Sequence, residues 1–152
     1  MLAHGMDGQD LNNERAVRDS FALHGLMATL GAVLTRVAAG EVSISLPFSP
    51  HLTQQNGLLH GGAVSAIADT ACGYAAMTVA PAGANPLAVE FKVNLLAPAR
   101  GERFEARAQV LRAGKTLTVV RADVYAITGL AEEMIATMLE TTIVRLAGQT
   151  PR

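Results

Sequence analysis

A chain of 152 residues, half of them hydrophobic, is long enough to bury one core and short enough to form one domain. Only 16% of the residues are charged and the formal net charge is −1, which argues against nucleic-acid binding, because phosphate recognition needs a concentrated basic excess. High apolar content with low charge also indicates surface buried between subunits, so we expect a homodimer or a homotetramer.

Cysteine usage, the N-terminal sequence and the apolar stretches predict the cellular location of the protein. Cys72 is the only cysteine, which excludes an internal disulfide and a zinc cluster of cysteines, and its alanine neighbours favour a small buried thiol. The first fifteen residues have neither a basic n-region nor an apolar segment, so we expect no secretory signal. The longest apolar stretch, about residues 63 to 82, contains Asp69 and many small residues. We therefore expect no membrane span and a cytoplasmic protein.

The N-terminal third predicts a helix followed by a hairpin. Residues 1–12 are rich in glycine and polar residues, and we expect them to be disordered. Apolar residues recur at helical spacing from Glu14 to Leu30, with Gly31 as a stop, which predicts one amphipathic helix. Alternation of apolar and polar residues over 32–48, around a turn at Ala39-Gly40-Glu41, predicts two strands.

The stretch from Asn56 to Thr78, NGLLHGGAVSAIADTACGYAAMT, predicts the central element of the fold. Small apolar residues recur at helical spacing after the entrance His60-Gly61-Gly62, which indicates a thin buried helix that a sheet can wrap closely. With histidines neutral, Asp69 is the only charged residue between Val42 and Val89. Burying a lone carboxylate costs several kcal/mol unless it is paired or hydrogen-bonded, so its presence needs a reason.

The pattern alone leaves two interpretations of Asp69. A carboxylate in a sheltered cleft acts as a nucleophile or a general base. Alternatively, Asp69 faces solvent along one wet edge of the helix or bonds nearby backbone. The glycines at the helix entrance leave backbone N–H groups unpaired, which makes Gly61 and Gly62 candidate donors to a developing negative charge. The alternative is that glycine is needed there only for steric reasons.

After the break at Pro81-Ala82-Gly83, the residue pattern predicts four strands, at 89–95, 103–112, 116–127 and 134–146. Short turns separate them, as is typical of an antiparallel meander. The last segment is rich in helix formers, but its β-branched run Thr141-Thr142-Ile143-Val144 favours a strand. The chain is therefore expected to form one α+β domain over residues 13–147, with a flexible C-terminus at 148–152.

Three stretches carry a resemblance to a known family: QQNGLLHGGAVSAIADTACGYAA, VEFKVNLLAPARG and AQVLRAGKTLTVVRADV. In this order they resemble the phenylacetate-pathway (PaaI-like) branch of the hotdog-fold acyl-CoA thioesterases, over most of residues 45–145. The resemblance implies a long central helix wrapped by a curved antiparallel β-sheet, here with an extra N-terminal helix, and active sites at the interface of a dimer. It also implies an acyl-CoA substrate, with no cofactor and no metal.

The resemblance assigns roles to single residues. Relatives carry an acidic residue nine positions after the entrance histidine, and Asp69 lies nine positions after His60. Asp69 is thus implied to be the catalytic carboxylate, with the Gly61 N–H polarising the thioester carbonyl. Gly57 matches the glycine three residues before the histidine. Gln54 stands where many relatives have Asn, and we expect it to orient water or substrate.

The remaining site residues are assigned by position. His60 is expected to make a supporting hydrogen bond rather than transfer a proton, a purely structural role being the alternative, and Gly62 is expected to line the substrate site. Many relatives hold water with a Ser or Thr where this chain has Ala88, which shifts the expected mechanism towards direct attack by Asp69. The phosphates of coenzyme A are expected to bind to three cations that flank turns, Arg112, Lys115 and Arg100. The alternative for each of these cations is a solvated surface charge.

Two other functions fit a hotdog fold, a hydratase and a non-catalytic acyl-CoA-binding protein. A hydratase is expected to place its Asp shortly before a His on the central helix, whereas here the histidine comes first. A regulatory binding protein usually carries an appended nucleic-acid domain, which we do not expect in a chain of this length. We therefore expect hydrolysis of an acyl-CoA thioester, with the acyl group, aryl or medium-chain, left open.

Overall fold

Two helices precede the sheet in the computed structural model, which describes residues 8–146. α1 spans Gly8–Ala22 and α2 spans Gly25–Leu30, so the single helix predicted over 14–30 is wrong. His24 breaks the helix with extended backbone, at φ −79° and ψ 98°, and Val17 of α1 and Met27 of α2 are both fully buried. Gly31 ends α2 as predicted, in the left-handed conformation at φ 74°.

The start of α1 corrects a second prediction, because residues 8–12 are helical rather than disordered. The Asn13 side chain ties this part of α1 to the rest of the fold. Its amide nitrogen donates to the carbonyl oxygens of Thr78 at 3.0 Å and Ala80 at 3.1 Å. Residues 1–7 and 147–152, which include the predicted C-terminal tail, lie outside the described residues.

Six strands form one antiparallel sheet in the order β1-β2-β4-β5-β6-β3. Their bounds are β1 Val33–Ala38, β2 Glu41–Pro47, β3 Leu87–Leu95, β4 Arg103–Ala113, β5 Leu117–Thr128 and β6 Ala131–Ile143. The predicted hairpin over 32–48 is confirmed, and so is the strand assignment of the last segment.

The predicted meander is wrong for β3. This strand pairs with β6 at the far edge of the sheet, whereas β4 pairs with β2 and β5. Both sides of β4 are therefore occupied, and β3 has to pair elsewhere. Ala99-Arg100-Gly101 consequently belongs to a connection that crosses the sheet and is not a hairpin turn.

The central helix α3 spans Gly61–Thr78 and contacts all six strands. Its core face consists of small residues, so the curved sheet approaches the helix axis closely, and larger side chains such as Phe104 and Ile44 fill the space from the sheet. Cys72 is fully buried, as predicted, and this burial raises the pKa of its thiol. Within residues 8–146, no helix combines the length and the apolarity needed to cross a membrane.

Candidate active site

His60 is the N-cap of α3, and its side chain bonds to the helix. Its Nδ1 accepts a hydrogen bond from the Gly62 N–H at 2.7 Å. A Cβ added at Gly62 would lie 2.8 Å from the same nitrogen, so glycine is a steric requirement at this position. The N–H of Gly61, by contrast, has no acceptor in the described part of the chain. Of the two candidate donors at the helix entrance, Gly61 is the one that is unpaired.

Gln54 lies in the same cavity as Gly61, a space of about 170 Å³ with mostly apolar walls. The backbone of Gln54 closes a tight turn: its N–H donates to the Leu58 carbonyl at 2.8 Å and its carbonyl accepts from the Gly57 N–H at 3.0 Å. Gly57 adopts φ 77°, which explains the glycine. The Gln54 side-chain oxygen accepts from the Asn56 N–H, which leaves its NH₂ group as the available donor.

Asp69 lies further along α3 and lines a different cavity. It lies eight positions after Gly61 in the helix, which corresponds to about 12 Å along the axis. Asp69 is half-buried and lines a cavity of about 270 Å³ together with Tyr74, Ala88 and Glu140. Within one chain, therefore, the Asp69 carboxylate and the Gly61 N–H cannot reach the same carbonyl group.

The cavity beside Asp69 has a polar wall that the sequence did not indicate. Ser20, near the end of α1, reaches the Tyr74 hydroxyl at 3.1 Å. The His24 ring, at the α1–α2 break, packs edge-on against the Tyr74 ring with centroids 6.3 Å apart. All three residues line the cavity, as does Ala88, which offers no hydroxyl to hold a water molecule. The N-terminal helices therefore form one side of the candidate site.

Glu140 is a second carboxyl group in this cavity, and the sequence interpretation did not single it out. Its side chain is 1% exposed, and no N–H or O–H donor among residues 8–146 reaches either of its oxygens. Burial, the negative charge of Asp69 and hydrogen bonding with Asp69, which requires a proton on one of the two carboxyl groups, together raise the pKa of Glu140 to about 9. The signal for Glu140 is strand alternation, because it lies in register with the buried Met138 and Thr142.

The three candidate cations are not brought together. Arg100 lies beside the α3 entrance, where the Leu59 N–H donates to the Ala99 carbonyl at 3.1 Å, and it shares a cavity with Gly57. Arg112 and Lys115 are exposed at the opposite end of β4, about 30 Å away along the strand. In one chain the two groups of cations therefore face different parts of the surface.

A long helix wrapped by a six-stranded antiparallel sheet is the architecture of a hotdog fold, here with a carboxylate on the helix and an unpaired N–H at its start. Residues 56–132 match the model of the thioesterase superfamily. The chain is also 33% identical over 125 residues to a Halobacterium salinarum protein provisionally named an esterase. The matched region covers 78% of this chain and 82% of that protein.

Solved structures agree with this match. A thioesterase family protein from Silicibacter pomeroyi is 47% identical, with a TM-score of 0.87 and coverage of 89% of this chain and 99% of that chain. The E. coli PaaI protein, at 18% identity, has the same fold with a TM-score of 0.80 and coverage of 93% and 99%. The chain belongs to the thioesterase superfamily and is a thioesterase, which confirms the family resemblance found in its sequence.

Proposed function

We propose that this thioesterase hydrolyses an aryl- or medium-chain acyl-CoA to the free acid and coenzyme A, at sites formed between two subunits. The position of Asp69 on α3 carries the proposal. A sheltered carboxylate and an unpaired N–H are the two groups that thioester hydrolysis needs, yet about 12 Å of helix separates them in one chain. Two copies with antiparallel α3 helices would place Asp69 of one subunit opposite Gly61 of the other.

The edge strand β3 supports a dimer. Within residues 8–146 only β6 pairs with it, and four of its apolar side chains are between 42% and 60% exposed: Leu87, Val89, Phe91 and Leu95. An apolar edge strand readily pairs with another strand unless something covers it. We propose that β3 of a second subunit pairs with it and continues the sheet, which buries these side chains.

The proposed chemistry divides between the two subunits. The Gly61 N–H donates to the carbonyl oxygen of the thioester and stabilises the oxyanion that forms when the carbonyl is attacked. Asp69 attacks the carbonyl carbon, the thiolate of coenzyme A leaves, and water hydrolyses the resulting mixed anhydride. In the alternative route, Asp69 removes a proton from the attacking water. Ala88 favours direct attack, because it provides no hydroxyl to position that water.

The NH₂ group of Gln54 is proposed to orient the thioester beside Gly61, since the two residues share a cavity. The acyl group is proposed to enter the cavity beside Asp69, where Met77 and Leu87 offer apolar contacts and Tyr74 offers a hydroxyl. Met138 of β6, by contrast, is buried in the core and offers no contact there.

A panel of acyl-CoA thioesters tests the function. We expect at least one aryl- or medium-chain member to be hydrolysed with kcat/KM of about 10⁴ M⁻¹s⁻¹ or more, a usual value for an enzyme on its own substrate. Released thiol is followed with a chromogenic thiol reagent, and the buried Cys72 should add little background. An oxygen ester of the same acid is the control. Hydrolysis of the oxygen ester without hydrolysis of any CoA thioester would contradict the proposal.

Substitution of single cationic residues by alanine tests where the nucleotide end of coenzyme A binds. Arg112→Ala and Lys115→Ala are expected to raise KM for CoA thioesters severalfold at low salt with little change in kcat, because uniform binding is lost. Arg100→Ala is the comparison at the opposite end of β4. If KM rises only in Arg100→Ala, the nucleotide end of coenzyme A binds at the α3 entrance instead.

A further inference from the structure

We propose that Glu140 is a positioning residue of the thioesterase site, which stays protonated, donates a hydrogen bond to the Asp69 carboxylate and fixes the orientation of that carboxylate. The inference rests on the proposed function of Asp69. It assigns a role to the one buried carboxyl group of the site cavity that the mechanism above does not use.

The geometry of Glu140 supports a neutral acid. β6 directs its side chain inward, where it is 1% exposed and lines the same cavity as Asp69. With no donor from the described residues at either oxygen, an ionised Glu140 would be a buried, uncompensated charge beside a second carboxylate. Two carboxylates do not hydrogen-bond to each other, whereas a carboxylic acid donates to a carboxylate.

No cation among residues 8–146 compensates a negative charge on Glu140. From α3, the charge of Asp69 opposes a negative charge there, and the Cys72 thiol, which burial keeps neutral, offers no positive charge. Its cross-strand neighbours, Val120 on β5 and Phe91 on β3, are uncharged. His24 lines the same cavity, but the raised pKa of Glu140 is caused by burial and by Asp69. Burial and the charge of Asp69 therefore both favour the protonated form of Glu140.

A hydrogen bond from Glu140 to Asp69 affects how Asp69 attacks the thioester. A carboxylate that accepts a hydrogen bond at one oxygen is held in one rotamer, and its second oxygen is presented to the substrate in a fixed direction. Correct placement of a reacting group supplies a large part of catalysis, and small displacements reduce the rate strongly. Within residues 8–146 no other side chain hydrogen-bonds to Asp69, so Glu140 is the group that can impose this order.

Two substitutions separate donation from packing. Glu140→Gln keeps the shape and a donating NH₂ group, so we expect kcat at pH 7 to stay within about threefold of wild type. Glu140→Leu removes the donor, and we expect kcat to fall about tenfold or more with little change in KM. Thr142→Val, a fully buried change on the same face of β6, is the packing control and should leave kcat near wild type.

The pH profile tests the protonation state. Wild-type kcat should decline as Glu140 ionises, with an apparent pKa of about 9, because the anion has no proton to donate. Glu140→Gln should lack this decline. Ionisation of Glu140 should also change the free energy of unfolding. The folded protein retains a proton on Glu140 that the unfolded chain releases above about pH 4.5. Wild-type Tm should therefore fall relative to Glu140→Gln as pH rises from 4.5 to 9.

Infrared difference spectroscopy of wild type against Glu140→Gln gives a readout that needs no activity. We expect a carbonyl band of a protonated carboxylic acid at pH 7 that disappears near pH 9. An ionised Glu140 at pH 7, or equal kcat in the Gln and Leu variants, would overturn the inference. A protonated Glu140 in a protein that hydrolyses no thioester would instead overturn the proposed function, and the positioning role with it.

Discussion

Replacing Asp69 by asparagine is expected to lower kcat for thioester hydrolysis by a factor of about 10²–10⁴, the usual contribution of a general base or nucleophile. The amide keeps the shape of the side chain and its ability to accept a hydrogen bond from Glu140, so the fold should be intact. Thermal stability should stay the same or rise, because Asp69→Asn removes one of two facing carboxyl groups. Steady-state kinetics and thermal unfolding on the same sample provide both measurements.

Asp123→Asn is the matched control for Asp69→Asn. Asp123 is buried, but its carboxylate is paired, since it accepts from Arg121 at 2.7 Å and from Thr137 at 2.7 Å. This control should lower stability and leave kcat almost unchanged, the reverse of the result expected for Asp69. Hydrolysis at nearly the wild-type rate by Asp69→Asn would make Asp69 structural and the proposed mechanism wrong.

Replacing Gly61 by proline is expected to lower kcat by about 10²–10³, the usual effect of deleting one oxyanion donor. Gly61 is the first residue of α3, where proline is tolerated, and the preceding His60 has ψ 136°, which proline requires of its neighbour. Proline therefore removes the N–H without breaking the helix. Gly61→Ala is the control, because it also places a Cβ near the flexible end of Leu95, at 2.9 Å, but keeps the N–H.

Mixing the two inactive variants tests whether a site combines two subunits. A mixed dimer of Asp69→Asn and Gly61→Pro chains has one site with both groups intact and one site with neither. Random exchange of equal amounts should therefore restore about a quarter of wild-type activity. No recovery, although mass spectrometry shows mixed dimers, would place Asp69 and Gly61 of the same chain in one site. With Gly61→Ala in place of Gly61→Pro, the equal mixture should have about half of wild-type activity both before and after exchange, because half of its chains carry Asp69 and every chain keeps the residue-61 N–H.

Local patterns were sufficient to predict most elements of this fold. The run of small residues after His60 predicted α3, because periodicity and an entrance of two glycines are local signals. The place of β3 was not predictable in this way, since pairing with β6 depends on which strand edges other strands leave open. The break between α1 and α2 was missed for a similar reason: tertiary burial of Met27 decides it, while the helical spacing continues through it.

The candidate site shows the same division. Asp69 stood out because its charge is isolated in the sequence, and Gly61 because of its position before a helix. Glu140 did not stand out, because it lies in a segment with other glutamates and only the exact phase of β6 turns it inward. Its significance also depends on facing Asp69 across a cavity, and that contact joins parts of the chain with no local relation.

The position of β3 also affects how the chain folds during synthesis. Its partners run from Ile143, opposite Leu87, to Ala136, opposite Leu95, so β3 leaves the ribosome long before the strand it needs. Contacts so distant in sequence form slowly, and an apolar strand without its partner is prone to aggregate. We infer that β3 docks late, only after β6 has emerged. The last edge of the sheet to form would then be the edge proposed to receive the second subunit, so folding and assembly would finish on the same strand.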